Sequence, residues 1–270
     1  MTLNKYALVT GGTSGIGYEL AKLLAADGYN LILVARGQDD LDKAAGEFQG
    51  SYSVDVIPFS YDLSVPDNTF KLVEEITGRG LTVEVLVNDA GQGLYGEFVD
   101  TDLQRELAIV HLNISSMLIL TKTFLKEMVA RKNGRILNLA SIAGKLPGPL
   151  QSVYHGTKAF VHSFTEAIRN EVKDDGVTVT SLLPGATDTD FFRKADMLDA
   201  KNVQSGHLAD PAKVARDGYD ALKANKDMVV SGMANKAQVA MSNILPDSTV
   251  ANKVHKQQAP VDNEKEKTKQ

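Results

Sequence analysis

Short apolar runs alternate along the chain with longer stretches in which apolar residues recur every three or four positions. The runs do not alternate apolar with polar residues, as expected for strands that are buried on both faces of a parallel sheet. They predict seven strands, at 5–11, 30–36, within 53–64, and at 83–91, 134–141, 177–185 and 227–232. Strands that alternate with amphipathic helices predict a doubly wound α/β fold, with one seven-stranded parallel sheet flanked by helices.

The pattern continues without a Pro/Gly-rich linker, so we expect one domain over residues 1–255. The last residues, "KQQAPVDNEKEKTKQ" (256–270), are polar and highly charged and predict a disordered tail. The longest stretch without a clear pattern is 186–210, which follows the sixth strand. Long loops after parallel strands commonly bind ligands.

Composition narrows the class of protein. The chain has 270 residues, a net charge of −5 and no cysteine. These values give no reason to expect nucleic acid or an anionic membrane as a partner, and they exclude disulfides and thiolate metal sites. We expect a cytoplasmic protein with no signal peptide, because a strand begins almost at the N-terminus. No apolar run approaches ~18 residues, so we expect no membrane span.

A glycine-rich turn lies between the first strand and the first helix. In "TGGTSGIG" (10–17), Gly11, Gly15 and Gly17 would permit a tight turn, close approach of a pyrophosphate and close helix–strand packing. The N-terminus of the following helix presents free N–H groups to a phosphate. The turn predicts a nucleotide site.

Tyr154 and Lys158 form the second candidate site. They lie at positions i and i+4 in "YHGTK", a spacing that places both side chains on one face of a helix. A phenol beside an ammonium is either a surface pair or a tuned acid. The histidines lack carboxylate or thiolate partners at ligand spacing, so we expect no metal.

The motifs together resemble the classical short-chain dehydrogenase/reductase family. "TGGTSGIG", "NDAG" (88–91), Asn113, Ser141, "YHGTK" (154–158) and "PGATDT" (184–189) follow one another in that family's order, and the resemblance covers about residues 3–235. It implies a Rossmann-type fold and an oxidoreductase that transfers a hydride between a nicotinamide and a carbonyl/alcohol substrate. One departure is Asp89, where the family usually has a second asparagine.

The resemblance also implies roles for the catalytic residues. Tyr154 would be the acid/base, and Lys158, with the oxidised nicotinamide, would lower its pKa. Ser141 would hydrogen-bond the substrate oxygen, and Asn113 would keep a water in a proton relay from Lys158. Two alternatives stay open: a nucleotide-sensing regulator that has lost turnover, and an epimerase or dehydratase of the same superfamily.

The predicted cofactor is NADP (NADPH). In NAD-preferring folds a carboxylate ends the second strand, whereas here Ala35 and then Arg36 stand at that place, and an arginine can grip a 2′-phosphate. The cofactor residues implied by the resemblance are Gly11, Thr13, Ser14, Gly15, Ile16, Gly17, Arg36, Asp62, Leu63, Asn88, Ala90, Gly91, Tyr154, Lys158, Pro184, Gly185, Thr187 and Thr189.

The predicted substrate wall is apolar, which favours a hydrophobic ketone, aldehyde or acyl thioester. It comprises Ser141, Tyr154, Leu94, Tyr95, Leu146 and Phe191. Wide apolar stripes on the helices that carry Asn113 and Tyr154, together with the resemblance, predict a homodimer or homotetramer. Leu103, Leu107 and Phe160 belong to these stripes.

Overall fold

A single parallel sheet of seven strands organises the protein. The computed structural model describes residues 5–242 and 244–261. The strand order is β3-β2-β1-β4-β5-β6-β7, and every neighbouring pair is parallel. The strands are β1 Lys5–Thr10, β2 Asn30–Ala35, β3 Val56–Ser60, β4 Thr82–Asn88, β5 Gly134–Leu139, β6 Val177–Leu183 and β7 Met228–Val230. The predicted fold class and all seven strands are confirmed.

Helices cover both faces of the sheet. In the described part of the chain they are α1 Gly15–Ala26, α2 Gln38–Tyr52, α3 Pro66–Gly78, α4 Leu103–Val110, α5 Ser116–Arg131, α6 Ser152–Glu171, α7 Phe191–Lys194, α8 Lys201–Gln204, α9 Pro211–Lys223, α10 Met233–Ser242 and α11 Asp247–Gln258. The stretch 186–210, predicted to lack regular structure, thus contains two single-turn helices, α7 and α8.

Each face of the sheet carries its own core. Helices α1, α2 and α9 pack on one face through residues such as Leu24, Phe48 and Leu222. Helices α3, α5 and α6 pack on the other, where Phe124 and Ile168 are buried. Because both faces of the sheet are covered, the side chains on both sides of each strand are buried, and the strands are continuous apolar runs in the sequence.

The sequence suggests one regular α-helix around Asn113, whereas the structure shows this helix interrupted. A π-helical turn, His111–Ser115, separates α4 from α5. Such turns occur frequently at functional sites. The helical segment Leu103–Arg131 is also long and apolar enough to cross a membrane, which the sequence analysis did not predict. It packs on the sheet through Leu120 and Phe124, so its length and apolar composition are weak evidence for a membrane.

The prediction of a tail from residue 256 is wrong for its first residues. Helix α11 continues to Gln258, and Pro260 forms a bridge with Ala200. The physical reason is burial, because Val250 and Val254 of α11 pack against Leu146. Residues 262–270 lie outside the described residues.

Candidate active site

A cavity of about 980 Å³ opens at the carboxyl ends of the strands. It extends from Arg36 after β2, past the glycine turn, to Tyr154 on α6 and Gln258 at the end of α11. The order of the strands reverses at β1, which has β2 on one side and β4 on the other. Open α/β sheets bind ligands in the crevice at such a switch point.

The glycine turn forms the floor of one half of the cavity. Gly11 and Gly15 have φ values of +72° and +58°, in the left-handed region that favours glycine. Gly17 lies behind the turn, where a Cβ would collide with the carboxylate of Asp89 and the carbonyl of Gly11. The predicted residues Gly11, Thr13, Ser14, Gly15 and Ile16 line the cavity, whereas Gly17 provides close packing beneath it.

The far end of this half is lined by Arg36, Asp62 and Leu63, as predicted. The Asp62 carboxylate accepts hydrogen bonds from the backbone N–H and hydroxyl of Ser64, which fix its orientation. Among residues 5–242 and 244–261, the Arg36 guanidinium has no ion-pair partner, so it is available to a ligand. Asp40, in the first turn of α2, lines the same wall.

Asn88 does not lie in the cavity, contrary to the prediction that it binds the cofactor. Its side chain points into the protein and donates to Thr121 Oγ1 at 3.1 Å and to Asn138 Oδ1 at 2.8 Å. Alternation along the strand turns the next side chain, Asp89, toward the glycine turn. Ala90 and Gly91 line the cavity as predicted.

Asp89 occupies an unusual environment for a carboxylate. Burial raises its pKa to about 7, and the charge of Lys158 and a hydrogen bond from the Gly17 backbone oppose that rise. The departure from the family pattern therefore adds a titratable group beside the glycine turn. The sequence showed the substitution but not this environment.

The loop after β6 forms another wall of the cavity. Pro184, Gly185, Thr187 and Thr189 line it, as predicted. The Thr189 side chain lies 2.8 Å from the position that a Cβ on Gly15 would occupy. This loop therefore contacts the glycine turn directly. The loop and the turn together form a continuous channel.

Tyr154, Ser141 and Lys158 converge where the channel widens. Ser141 lies just beyond β5 and caps a 3₁₀ turn, Ile142–Lys145; its hydroxyl accepts from Ala143 N at 3.1 Å and hydrogen-bonds Tyr154. The buried Lys158 ammonium donates to the Leu139 carbonyl at 2.7 Å. It lies 5.8 Å from the centre of the Tyr154 ring.

Burial controls the pKa values of this group. Burial raises the pKa of Tyr154 to about 12, with a smaller opposing effect from the hydrogen bond to Ser141. Burial also lowers the pKa of Lys158 to about 8, and Asp89 partly offsets this effect. The charge of Asp89 adds to the raised pKa of Tyr154. That Lys158 and the oxidised nicotinamide together lower this pKa stays a prediction.

Asn113 hydrogen-bonds both the main chain of Gln92 and the side chain of Thr157. Its amide nitrogen donates to the Gln92 carbonyl at 2.9 Å and to Thr157 Oγ1 at 3.0 Å, while its oxygen accepts from Gln92 N at 3.0 Å. These bonds join the end of "NDAG" to α6. The π turn holds Asn113 at the place where both elements meet.

The wider half of the cavity differs in part from the predicted substrate wall. Leu146 and Phe191 line it, and the Phe191 ring lies 5.0 Å from that of Tyr154. Leu94 and Tyr95 do not, contrary to prediction. The Tyr95 hydroxyl instead donates to the Gln258 carbonyl at 2.7 Å, which fastens the end of α11.

Several residues of this half escaped sequence reasoning. Gln151, Val254 and Gln258 line the cavity. A buried glutamine three positions before Tyr154 carries no sequence signal, and the residues of α11 lay beyond the motifs. In the described ranges, no group of three or more His, Cys, Asp and Glu residues is placed to hold a metal ion.

Comparisons with known proteins agree with this geometry. The family model described as short chain dehydrogenase matches residues 5–198. A very-long-chain 3-oxoacyl-CoA reductase of Coprinopsis cinerea is 39% identical over 180 residues, which are 66% of this chain and 53% of that protein. This chain thus spans about half the length of that relative. The dehydrogenase/reductase SDR family member 7B of Mus musculus is 32% identical over 254 residues, covering 90% of this chain and 78% of the relative.

Solved structures show the same fold. A short-chain dehydrogenase from Sphingobium yanoikuyae in complex with NADPH superimposes with a TM-score of 0.79 at 23% identity. The match covers 90% of this chain and 96% of that one.

Proposed function

The chain belongs to the short-chain dehydrogenase/reductase family, and from that premise we propose that it is an NADPH-dependent reductase of carbonyl substrates. The observation that carries the proposal is the convergence of Tyr154, Ser141 and Lys158 at the junction of a glycine-turn channel and an apolar cavity. An acid beside an apolar pocket and a nucleotide channel fits hydride transfer better than binding alone.

The residues of the channel fit a phosphorylated dinucleotide. The N-terminus of α1 and the left-handed Gly15 place backbone N–H groups at the channel floor, where a pyrophosphate would bind. Arg36, which has no ion-pair partner in the part of the chain that the structure describes, would hold a 2′-phosphate, and Asp62 and Leu63 would hold the base. When bound, NADPH supplies the hydride.

The protein's own residues supply the proton and orient the carbonyl. Because the pKa of Tyr154 lies near 12, its hydroxyl is protonated at neutral pH and can donate to a carbonyl oxygen during reduction. The Ser141 hydroxyl accepts from Ala143 N and donates to the Pro184 carbonyl at 3.3 Å. It would exchange the bond to Pro184 for one to the same substrate oxygen as charge develops there. The Lys158 ammonium uses one N–H for Leu139 and keeps two for a ribose and for the charge on Tyr154.

The substrate class follows from the wall of the cavity. Leu146, Phe191, Phe192 and Met197 make the wider half largely apolar. This favours a hydrophobic ketone, aldehyde or acyl thioester. The similarity to 3-oxoacyl-CoA reductases supports acyl substrates within that class.

Turnover of a carbonyl panel, followed by NADPH absorbance, tests the proposal. We expect Tyr154→Phe to bind NADPH nearly as well as the unmodified protein and to lose ~10²–10⁴ in turnover, because the proton donor is removed. Tyr52→Phe, which removes the hydroxyl of a half-buried tyrosine outside the cavity, is the matched control. A Tyr154→Phe variant that keeps more than about half of the activity contradicts the assigned role.

A further inference from the structure

Two buried glutamines face the cavity beside Tyr154. Gln151 and Gln258 have exposed fractions of only 4% and 7%, and both line the cavity. The Gln151 amide nitrogen and the Gln258 amide oxygen are buried and have no hydrogen-bond partner among the described residues. Buried polar atoms are normally paired, so two unpaired atoms at one place indicate a ligand site.

The orientation of both amides is fixed by a chain of hydrogen bonds. His155 Nδ1 lies 2.9 Å from the carbonyl oxygen of Leu146, and because a carbonyl only accepts, Nδ1 carries the proton. Burial lowers the pKa of His155, so the ring is neutral and Nε2 accepts.

The chain continues to both glutamines. The Gln258 amide nitrogen lies 3.3 Å from His155 Nε2 and 3.4 Å from the Gln151 amide oxygen, so its two N–H groups are both used. Among the described residues this leaves one donor atom without a partner, Gln151 Nε2 with its two N–H groups, and one acceptor atom, Gln258 Oε1.

The free donor lies close to the reacting group. Gln151 Nε2, the tip of the Phe191 ring and the edge of the Tyr154 ring all lie within 3.4 Å of the position that a Cβ on Gly93 would occupy. A group bound by Gln151 would therefore belong to the same small molecule as the carbonyl at Tyr154.

We propose that Gln151 and Gln258 form a subsite for a second group of the substrate, an alcohol hydroxyl that accepts from Gln151 and donates to Gln258. The inference rests on the proposed function, whose carbonyl substrate it describes further. A carboxylate or a plain thioester carbonyl can only accept, and would leave Gln258 Oε1 facing another oxygen. An alkyl chain would leave both atoms unpaired.

Matched pairs of ketones test the subsite. The pairs are 4-hydroxybutan-2-one with pentan-2-one, and 6-hydroxyhexan-2-one with heptan-2-one, in which a methyl replaces the hydroxyl. For at least one pair, we expect kcat/KM to favour the hydroxyl member by at least ~10-fold, since a site built to hydrogen-bond a hydroxyl rejects its apolar analogue. Gln151→Met and Gln258→Met should each lower that ratio at least ~5-fold.

Gln49→Met, at an exposed glutamine on α2, is the matched control and should keep the ratio. Binding of the same pairs to the NADPH complex, measured by saturation-transfer NMR, gives a readout that does not need turnover. If no carbonyl is reduced, the proposed function is wrong, while the binding ratio still decides the subsite. Ratios near one for both pairs, or variants that keep the ratio of the unmodified protein, overturn the subsite.

Discussion

We propose that the preference between the two nicotinamide cofactors depends on Arg36. It directly follows Ala35, the last residue of β2, and its guanidinium has no ion-pair partner in residues 5–242 and 244–261. Asp40 lies on the same wall, in the first turn of α2. A 2′-phosphate would accept charge-assisted hydrogen bonds from Arg36 and would be repelled by Asp40. Because the planar guanidinium fits a phosphate closely, we expect the attraction to exceed the repulsion.

We therefore predict that NADPH is preferred over NADH by at least ~10-fold in kcat/KM, equal to about 1.4 kcal/mol. Ala35→Asp combined with Arg36→Ala should shift the preference toward NADH, because a carboxylate at that place accepts from the ribose 2′-hydroxyl. Arg216→Ala removes an exposed arginine from α9 and serves as the control. Equal efficiency with both cofactors, or no shift in the double variant, contradicts the prediction.

Asp89 links the stability of the protein to pH. Its pKa rises from the ordinary 3.8 to about 7 on folding, so the folded state binds a proton that the unfolded state releases between pH values of about 4 and 7. Stability falls as the pH rises through this window, and the cost of the buried charge is fully present above pH 7.

Asp89→Asn should remove this cost while keeping the shape of the side chain. We expect the variant to melt above the unmodified protein at pH 8, where a gain of roughly 1 kcal/mol raises Tm by about 2–4 °C. The difference should shrink as the pH falls toward 5. Asp174→Asn, at an exposed aspartate, is the control. Thermal melts at several pH values that show a constant difference would contradict the assignment.

Helix α11 is the element that completes the substrate half of the cavity. Val250 and Val254 lie one helical turn apart and pack on Leu146, and the Tyr95 hydroxyl holds the carbonyl of Gln258. Burial of the two valines therefore helps to hold the helix over the cavity.

A charged side chain on the buried face of α11 should weaken the packing of this helix on Leu146 without disturbing the nucleotide channel. We predict that Val254→Asp raises KM for the carbonyl substrate by ~10-fold or more and leaves the Kd of NADPH within about twofold, since the buried carboxylate would force the helix away from Leu146. Asn252→Asp adds the same charge at an exposed position of α11. An unchanged KM in Val254→Asp would show that α11 does not cover the substrate.

The elements differ in how far the sequence predicts them. The seven strands and the glycine turn follow from local patterns of a few residues. The site at Gln151 and Gln258 does not, because it joins positions 107 residues apart through side chains that have no pattern of their own. The prediction that Asn88 faces the cofactor is wrong for another reason. The direction of a side chain at the end of a strand depends on the register of the strand, which the motif does not specify.

At the scale of the whole molecule, α4 and α6 share an exposed apolar face. Leu103, Leu107 and Phe160, from the two predicted stripes, have exposed fractions of 60%, 42% and 38%. Phe124 and Ile168, from the same stripes, are buried in the core of the monomer instead. The surface stripe is thus narrower than the sequence suggested, but it extends across both helices.

We predict that this face joins copies of the chain into a homodimer or homotetramer. Leu103→Glu with Leu107→Glu should lower the mass in solution to that of the monomer, because two charges would be desolvated at the interface. Asp100→Lys, beside the face, tests for a general effect of charge. Light scattering that shows a monomer of the unmodified protein at micromolar concentration would overturn the prediction.

The position of α11 also sets the order in which the site is assembled during synthesis. The glycine turn, Arg36 and Asp89 come from the first third of the chain, whereas Gln258 comes from its last described helix. Domains are made from the N-terminus, and early segments can pack before later ones emerge. A growing chain therefore holds the glycine-turn end of the channel well before it holds a substrate cavity.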